Sequence, residues 1–304
     1  MNGLIELRDN LRKIYAEYGF ILRPVCRFIT ALLFLVLLRN YCGFSGKACG
    51  PAVLLGLSGL CIFFDFGAVS FVCALFLTAN LFMVSYSACL FAVVFFMLIL
   101  MLYFGLRPGN GIILFLVPIC CILRIPYLLP VILALSGGFS LILPGTIGCL
   151  AWFLISYYKE NSAVLTKSVD PEVLAKEFMA FTEGVFMNTG VYVMLMSFIL
   201  CMVTVYLIRR LEIDHSWTIA VISGTVITAF AVFLGNYYFD IETNVLVTAA
   251  GLLAALLGGL LYELIFFNVD YKAGEKLQFE DDDYYYYVKA IPKVKPYEES
   301  ERRE

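Results

Sequence analysis

Between Ala48 and Leu106 the chain carries one charged residue, Asp65, in 59 consecutive positions. Apolar runs of this length indicate helices that cross a membrane, at roughly 20 residues each. The composition agrees, because 62% of the residues are hydrophobic and only 15% are charged, whereas soluble domains carry about 25% charged residues. We therefore predict an all-α fold, a polytopic transmembrane helical bundle in a lipid bilayer, with about eight to ten crossings.

Changes in charge and hydropathy along the chain divide it into regions. Pro24 separates a basic amphipathic segment from the first apolar run, and Asp170-Pro171 is a typical helix start in a polar loop. We predict an interfacial helix (1–23), a membrane region (24–158) with repeat-like stretches (51–106 and 107–158), an extracytoplasmic loop with an amphipathic helix (159–188), a three-span membrane region (189–267) and a cytoplasmic tail (268–304).

The two stretches of the first membrane region resemble one another. "CIFFDFGAVS" from Cys61 lies over "CCILRIPYLL" from Cys120, which places Asp65 over Arg124, each followed by a turn former. Pro51 to Phe64 spans only about 21 Å as a helix, shorter than the ~30 Å hydrocarbon core. Short helices in two repeats of opposite orientation are typical of secondary transporters. The alternative is a chance similarity between apolar segments.

Asp65 and Arg124 form a possible intramembrane charge pair or polar site, because ionisable residues in membrane segments are costly and often functional. The alternative places both residues in turns at headgroup depth. Breaks in helices would free backbone carbonyls and so permit a polar cavity. We predict such breaks at Gly67, Pro118, Pro126, Pro130, Gly137, Gly138 and Pro144.

Two smaller features leave alternatives open. Gly251, Ala255 and Gly259 recur every four residues, a spacing that lets helices pack closely, either within this chain or between two copies. Cys42 and Cys49 are the cysteines of a loop. They pair if that loop faces an oxidising space, and otherwise remain free thiols.

Signals for enzymes, cofactors and metals are missing. The sequence has no nucleophile elbow, Walker lysine, HExxH or kinase motif. The single histidine, His215, lies near two loop carboxylates, which is weak spacing for a metal site, and fits an interfacial residue beside Trp217. Since no basic patch is present either, we predict no catalysis, no cofactor, no metal and no nucleic acid.

The basic residues of short loops predict the orientation in the membrane. Arg209 and Arg210 favour a cytoplasmic loop, whereas the loop from Gly235 to Thr243 has two acids and neither lysine nor arginine. The N-terminus and the C-terminus are then both cytoplasmic, with Arg39 and Lys47 as a mild conflict.

The tail contains the segment "FEDDDYYYYVKAIPKVK", which differs from the rest of the chain. Residues 268–304 hold ten acids and seven bases and thus account for the whole net charge of −3. The tyrosines and the following apolar residues favour a strand, which needs a partner edge because a lone strand is unstable. We expect docking of a cytoplasmic partner through residues 279–295; a disordered tail is the alternative. The predicted docking residues are Tyr284, Tyr285, Tyr286, Tyr287, Val288 and Ile291.

The segment from Leu277 to Lys295 resembles the tail of multi-pass membrane proteins of Gram-positive bacteria, a group to which we attach no activity. The resemblance covers about nineteen residues and implies a bacterial plasma membrane. Two functions fit this sequence. One is a non-enzymatic scaffold or assembly factor that docks a partner through its tail; the other is a secondary transporter or permease subunit with a midplane site at the broken helices. A polar cavity favours transport, and a packed interior favours the scaffold.

Overall fold

The computed structural model describes residues 2–44, 49–106, 111–162, 165, 167, 170–267, 275–281 and 283–292. Of the described residues 79% are helical, and the tail adds a pair of strands. The helices are α1 (Asn2–Cys42), α2 (Pro51–Leu60), α3 (Phe66–Val84), α4 (Tyr86–Leu106), α5 (Ile113–Ile122), α6 (Leu128–Ser136), α7 (Ile142–Asn161), α8 (Pro171–Phe186), α9 (Thr189–Ile208), α10 (Ser216–Tyr238) and α11 (Val245–Phe266), and the strands are β1 (Glu275–Glu280) and β2 (Tyr285–Ala290).

The predicted fold class is confirmed. Within the described residues, six helical segments are long and apolar enough to cross a membrane, as expected of an all-α polytopic bundle. They are Ala16–Cys42, Phe66–Val84, Phe139–Asn161, Pro171–Ile208, Ser216–Tyr238 and Val245–Phe266. These six are fewer than the predicted eight to ten crossings; α4 and the shorter apolar helices lie outside this set.

The last three spanning helices define two ends of the bundle. Gly224 of α10 lies against Val205 of α9, and Gly235 lies against Val193, so these helices are antiparallel. The Thr218 hydroxyl of α10 donates to a Glu263 carboxylate oxygen of α11 at 2.7 Å, which makes α10 and α11 antiparallel as well. We call the end where α9 begins the Asn188 end, and the end where α9 terminates the Arg209 end.

Helices α5 and α6 form a short hairpin that starts and finishes at the Arg209 end. The Arg209 guanidinium donates to the carbonyl oxygens of Leu135 and Gly137, which fixes the end of α6 there. Helix α7 runs from that end towards the Asn188 end, and its Gly148 packs against Leu114 and Val117 of α5. At ten and nine residues, α5 and α6 are each about 15 Å long, so their connecting turn lies inside the bundle.

Helix α2 runs in the opposite direction to α5. The Phe44 ring, just after α1, lies 5.4 Å from the ring of Tyr158 in the last turn of α7, at the Asn188 end. Cys49, just before α2, donates from Sγ to Asn80 Oδ1 at 2.6 Å. The turn after α2 reaches Arg27, which precedes Phe44 by about 25 Å of helix. Each repeat-like stretch therefore opens with a ten-residue helix, and the two helices have opposite senses.

The residues predicted to break helices fall into three groups. Pro126, Gly137 and Gly138 lie between helices. Gly67, Pro130 and Pro144 instead lie in the first turns of α3, α6 and α7, where proline is tolerated because those N–H groups have no helical acceptor. Pro118 lies inside α5, so the helix loses the N–H that would bond to the carbonyl of Leu114.

The first helix and the polar loop differ in detail from their predicted boundaries. Helix α1 continues through Pro24, and its non-helical position is Tyr18. Ile14 and Ile21, apolar residues of the predicted interfacial helix, are exposed. The predicted amphipathic helix of the loop is α8, which packs on the bundle through the buried Phe181 and Val185.

The smaller features also have definite places. Gly251, Ala255 and Gly259 are buried, and the two glycines pack against the turn before α6, against α6 and against α10 of the same chain. Intrachain packing thus occupies this row of small residues. Cys42 and Cys49 are both free.

The tail segment forms an antiparallel hairpin. The predicted strand is β2, and its partner edge is β1 of the same chain, where the sequence analysis placed no strand. Leu277 pairs with Val288, and Phe279 pairs with Tyr286 with their rings stacked at 5.1 Å. These four side chains share one face of the hairpin because alternate residues of a strand point to the same side.

Candidate functional site

A cavity of about 430 Å³ opens between the turn joining α5 to α6 and the helices α7, α9, α10 and α11. It begins among Asn188, Asn236 and Thr243 at the Asn188 end and reaches Ser197 and Thr228 near the middle of α9 and α10. The cavity has the size of ordinary small-molecule sites, which are about 300–1,000 Å³. This part of the described chain is therefore not fully packed.

Arg124 is the one charged residue among those that line the cavity. Helix α5 ends with the N–H of Ile125 donating to Cys120 O at 2.9 Å and the N–H of Arg124 donating to Cys121 O at 3.0 Å. This pair of bonds is the Schellman motif, which places its turn residue in the left-handed region. Arg124 has φ +63° there, a position usually taken by glycine because a side chain costs about 1–2 kcal/mol.

Free hydrogen-bond donors lie at the cavity mouth. Asn188 accepts from the Gly190 N–H at 2.8 Å through Oδ1, which leaves its amide NH₂ group to donate. The Asn236 amide donates to Thr243 Oγ1 at 3.1 Å, so the Thr243 hydroxyl still has its own proton to donate.

Deeper polar groups are already satisfied. The hydroxyls of Ser197 and Thr228 donate to the Met194 and Gly224 carbonyls of their own helices, at 2.9 and 2.7 Å. The remaining wall is mostly apolar or aromatic, including Trp152. The cavity thus combines donors and one cation near its mouth with an apolar interior.

Asp65 does not join Arg124. Its carboxylate lies 3.2 Å from Nη2 of Arg27, and Nη1 of Arg27 donates to the Phe64 carbonyl oxygen at 2.7 Å. The Asp65 side chain is 97% exposed, so this ion pair holds the turn between α2 and α3 at the protein surface. Arg27 therefore fixes that turn through both of its terminal nitrogens.

The Arg209 end of the cavity region is closed by a cluster around Arg209. Besides its two bonds to the end of α6, the guanidinium lies 5.7 Å from the rings of both Tyr206 and Trp217. Trp217 in turn stacks on Phe267 at 4.3 Å. The Arg209 guanidinium donates to carbonyls that lack helical donors because of the Gly137–Gly138 break. Its positive charge also interacts favourably with the partial negative charge at the C-terminus of α6.

Sequence reasoning identified Arg124 and missed most of the other lining residues. They are single polar or aromatic residues on separate spans, among them Trp152, Asn188, Asn236 and Thr243. Their only signal was an amide at a span end, which also fits a helix cap. Among the described residues no cluster of three His, Cys, Asp or Glu side chains could hold a metal, and His215 lies at the start of α10 next to that helix's Trp217.

The chain matches no protein-family model, no curated protein and no solved structure. A functional assignment must therefore start from the site itself, since a helical bundle alone supports many functions.

Proposed function

We propose that this multi-pass membrane protein is a permease, a secondary transporter or its membrane subunit, whose solute site is the cavity at Arg124. The observation that carries the proposal is a ligand-sized cavity that reaches mid-span and is bordered by the break between α5 and α6. Broken helices with a site between them are the usual construction of secondary transporters.

The arrangement of the short helices supports this proposal. Helices α2 and α5 have the same length and run in opposite directions. A turn follows each of them, at Asp65 and at Arg124. We infer an inverted repeat covering 51–106 and 107–158. In such repeats, movement of one unit against the other exposes a fixed site alternately to each side.

We further propose that the Arg209 end faces the cytoplasm of a bacterial plasma membrane. Arg209 and Arg210 lie at that end, whereas Asp240 and Glu242 lie in the loop at the Asn188 end, in line with the preference of cytoplasmic loops for basic residues. Both termini are then cytoplasmic, and the present state of the cavity opens outward.

Side-specific thiol labelling tests the permease. Met194 lines the cavity, and it lies about 21 Å along α9 from the Arg209 end. In a parent with Cys26→Ala and Cys121→Ala, we expect Met194→Cys to react with a membrane-impermeant methanethiosulfonate in both right-side-out and inverted vesicles. Reaction from the Asn188 side only would indicate that the cavity binds a solute but gives it no passage across the membrane.

Met196→Cys is the matched control. Met196 lies on the same helix, but its side chain is 58% exposed and does not line the cavity. We expect this cysteine to face lipid and to stay unreactive, because a thiol in hydrocarbon does not ionise. Equal labelling of both positions would show that the reagent reports general disorder of α9.

The hairpin favours a second function, a scaffold that docks a cytoplasmic partner. Its apolar face, formed by Leu277, Phe279, Tyr286 and Val288, is exposed, with Leu277 at 47% and Val288 at 41%. A two-stranded hairpin is only marginally stable alone, so covering this face would stabilise it. We propose that residues 279–295 contribute to such a surface.

Neighbouring residues on β2 test the scaffold. Val288 lies on the apolar face, and Tyr287, which is 80% exposed, lies on the opposite face. If the hairpin docks a partner by its apolar face, Val288→Ser should remove at least about 1 kcal/mol of apolar contact, and a cross-linked partner should be lost. Tyr287→Ser should retain it. An unchanged cross-linking pattern in both variants counts against docking.

A further inference from the structure

We propose that the cavity at Arg124 takes an organic anion: one carboxylate or phosphate group bound by the Arg124 guanidinium, attached to an apolar or aromatic body held by the inner walls. The inference rests on the cavity proposed above as a solute site. It concerns what binds there and is independent of whether the ligand crosses the membrane.

The charge of the site comes first. Arg124 is exposed, and no described residue forms a hydrogen bond or ion pair with its guanidinium. Asp240 and Glu242 flank the lining residue Ile241, but their side chains are exposed and do not line the cavity. A guanidinium without a counter-ion at a low-dielectric cavity favours an anionic ligand with two oxygens that match its paired N–H groups.

The surrounding backbone adds positive potential of the same sense. Gly190 in the first turn of α9 and Thr248 in the first turn of α11 both line the cavity. The N–H of Gly190 is capped by Asn188 and the N–H of Thr248 bonds to the Asn244 carbonyl, so these helix starts contribute the partial positive charge of helix N-termini, which favours anions, and not free donors. Asn188 and Thr243 add neutral hydrogen-bond donors at the mouth. These donors also favour a ligand that carries acceptor atoms.

The conformation of Arg124 points to the same role. Glycine would satisfy the Schellman turn without the steric cost that φ +63° imposes on arginine. Strained residues cluster at ligand sites, so this outlier supports a binding role for Arg124. The turn is also held closely, since Gly251 of α11 lies against the Arg124 carbonyl and the Tyr127 ring.

The body of the ligand is set by the inner walls. Trp152 and Phe198 contribute aromatic faces to the cavity, Phe153 adds a third beside Gly190 at the mouth, and the Ser197 and Thr228 hydroxyls donate to their own helices. An interior with satisfied polar groups accepts apolar surface without an unpaired donor or acceptor. A small inorganic anion would leave this volume unfilled.

Fluorescence of Trp152 measures binding directly. The chain has two tryptophans, and Trp217→Phe keeps a ring on Phe267 while leaving Trp152 as the only indole. Titration of this variant in phosphatidylcholine nanodiscs uses 4-nitrobenzoate and 4-nitrobenzamide, which quench alike and differ in charge. We expect the carboxylate to bind at least about tenfold more tightly, the ratio of one charge-assisted hydrogen bond.

Variants of Arg124 decide the source of that preference. Arg124→Gly removes the charge and places glycine at a turn position that favours it, so this variant should fold at least as stably as the parent. Arg124→Gly and Arg124→Gln should each bind the two probes equally. Arg124→Lys should retain part of the ratio, and Arg210→Gln, at the other end, should leave it unchanged. A tenfold preference that survives Arg124→Gly, or equal binding of both probes to the parent, overturns the proposal.

The anionic group has two possible sources, a lipid headgroup or a soluble molecule. Soluble dihexanoyl phosphatidylglycerol is added as a competitor, with dihexanoyl phosphatidylcholine as its neutral control. Displacement of 4-nitrobenzoate by phosphatidylglycerol alone supports the Arg124 site with a lipid as ligand. Retention of the probe against both lipids supports the same site with a soluble organic anion. Because no step requires transport, failure here is separate from failure of labelling at Met194.

Discussion

Arg209→Gln is expected to destabilise the protein more than any other single charge removal among the described residues. The guanidinium donates to the carbonyl oxygens of Leu135 and Gly137, both beside the glycine break after α6. Hydrogen bonds from charged groups contribute about 1.5–3 kcal/mol each, so we expect a loss of about 3 kcal/mol or more. Thermal unfolding in nanodiscs should show a midpoint lower by roughly 6 °C or more.

The neighbouring arginine supplies the control for this prediction. Arg210 is exposed, and its guanidinium lies over the Tyr206 ring at 4.6 Å. Arg210→Gln should change stability by no more than about 0.5 kcal/mol, as is usual for surface residues. Arg209→Gln should also increase labelling of Met194→Cys from the Arg209 side, because α6 is no longer held. Equal stability of the two variants would contradict the role of Arg209 at the end of α6.

Gly148→Leu is expected to separate α5 from α7. A Cβ atom at Gly148 would lie 2.7 Å from a methyl group of Val117 and 3.2 Å from the Leu114 carbonyl oxygen. That carbonyl lacks its helical donor because of Pro118, so close approach of the α7 backbone is also the contact that covers it. Overpacking of a buried site costs about 1–3 kcal/mol for added methylenes, and leucine at a glycine backbone contact should exceed that range.

Gly56→Leu is the matched substitution. Gly56 lies in α2, and a Cβ atom there would meet nothing within 4 Å, so leucine should be tolerated and should gain helix propensity of up to about 1 kcal/mol. Size-exclusion chromatography should give a folded peak for Gly56→Leu and a reduced or aggregated one for Gly148→Leu. In any surviving Gly148→Leu protein, the preference of the site for 4-nitrobenzoate should fall, because the Arg124 turn follows α5. Equal elution profiles of the two leucine variants would show that α5 does not pack closely against α7 at Gly148.

The fold class was predictable because the bilayer restricts the choice of structure so strongly. A run of 59 residues with one charge predicts spanning helices, which satisfy their backbone hydrogen bonds within each segment in lipid. The start of the short helix α2 was also predictable, since Pro51 begins it. The predicted segment extended to Phe64, whereas α2 ends at Leu60 and a turn follows it.

Pairing between distant segments was not predictable from one sequence. Arg27 and Asp65 are 38 positions apart, and no local rule favours this partner over Arg124. The strand β1 was hidden by its charges, because "EKLQFE" has only Leu277 and Phe279 as apolar residues. Its alternation became meaningful only once these residues were paired with Val288 and Tyr286. The cavity likewise depends on single residues that four helices and a turn bring together.

The completeness of labelling at Met194 is the measurement that tests the permease most directly. The Met194→Cys variant is labelled from one side of the membrane until the labelled fraction reaches a plateau. A second sample is labelled in the same way from the other side. If each molecule alternates between two states, each side alone should label nearly all of the protein, and the two plateau fractions should sum to well above one. A plateau reached from the Asn188 side with no reaction from the Arg209 side would contradict transport through this cavity.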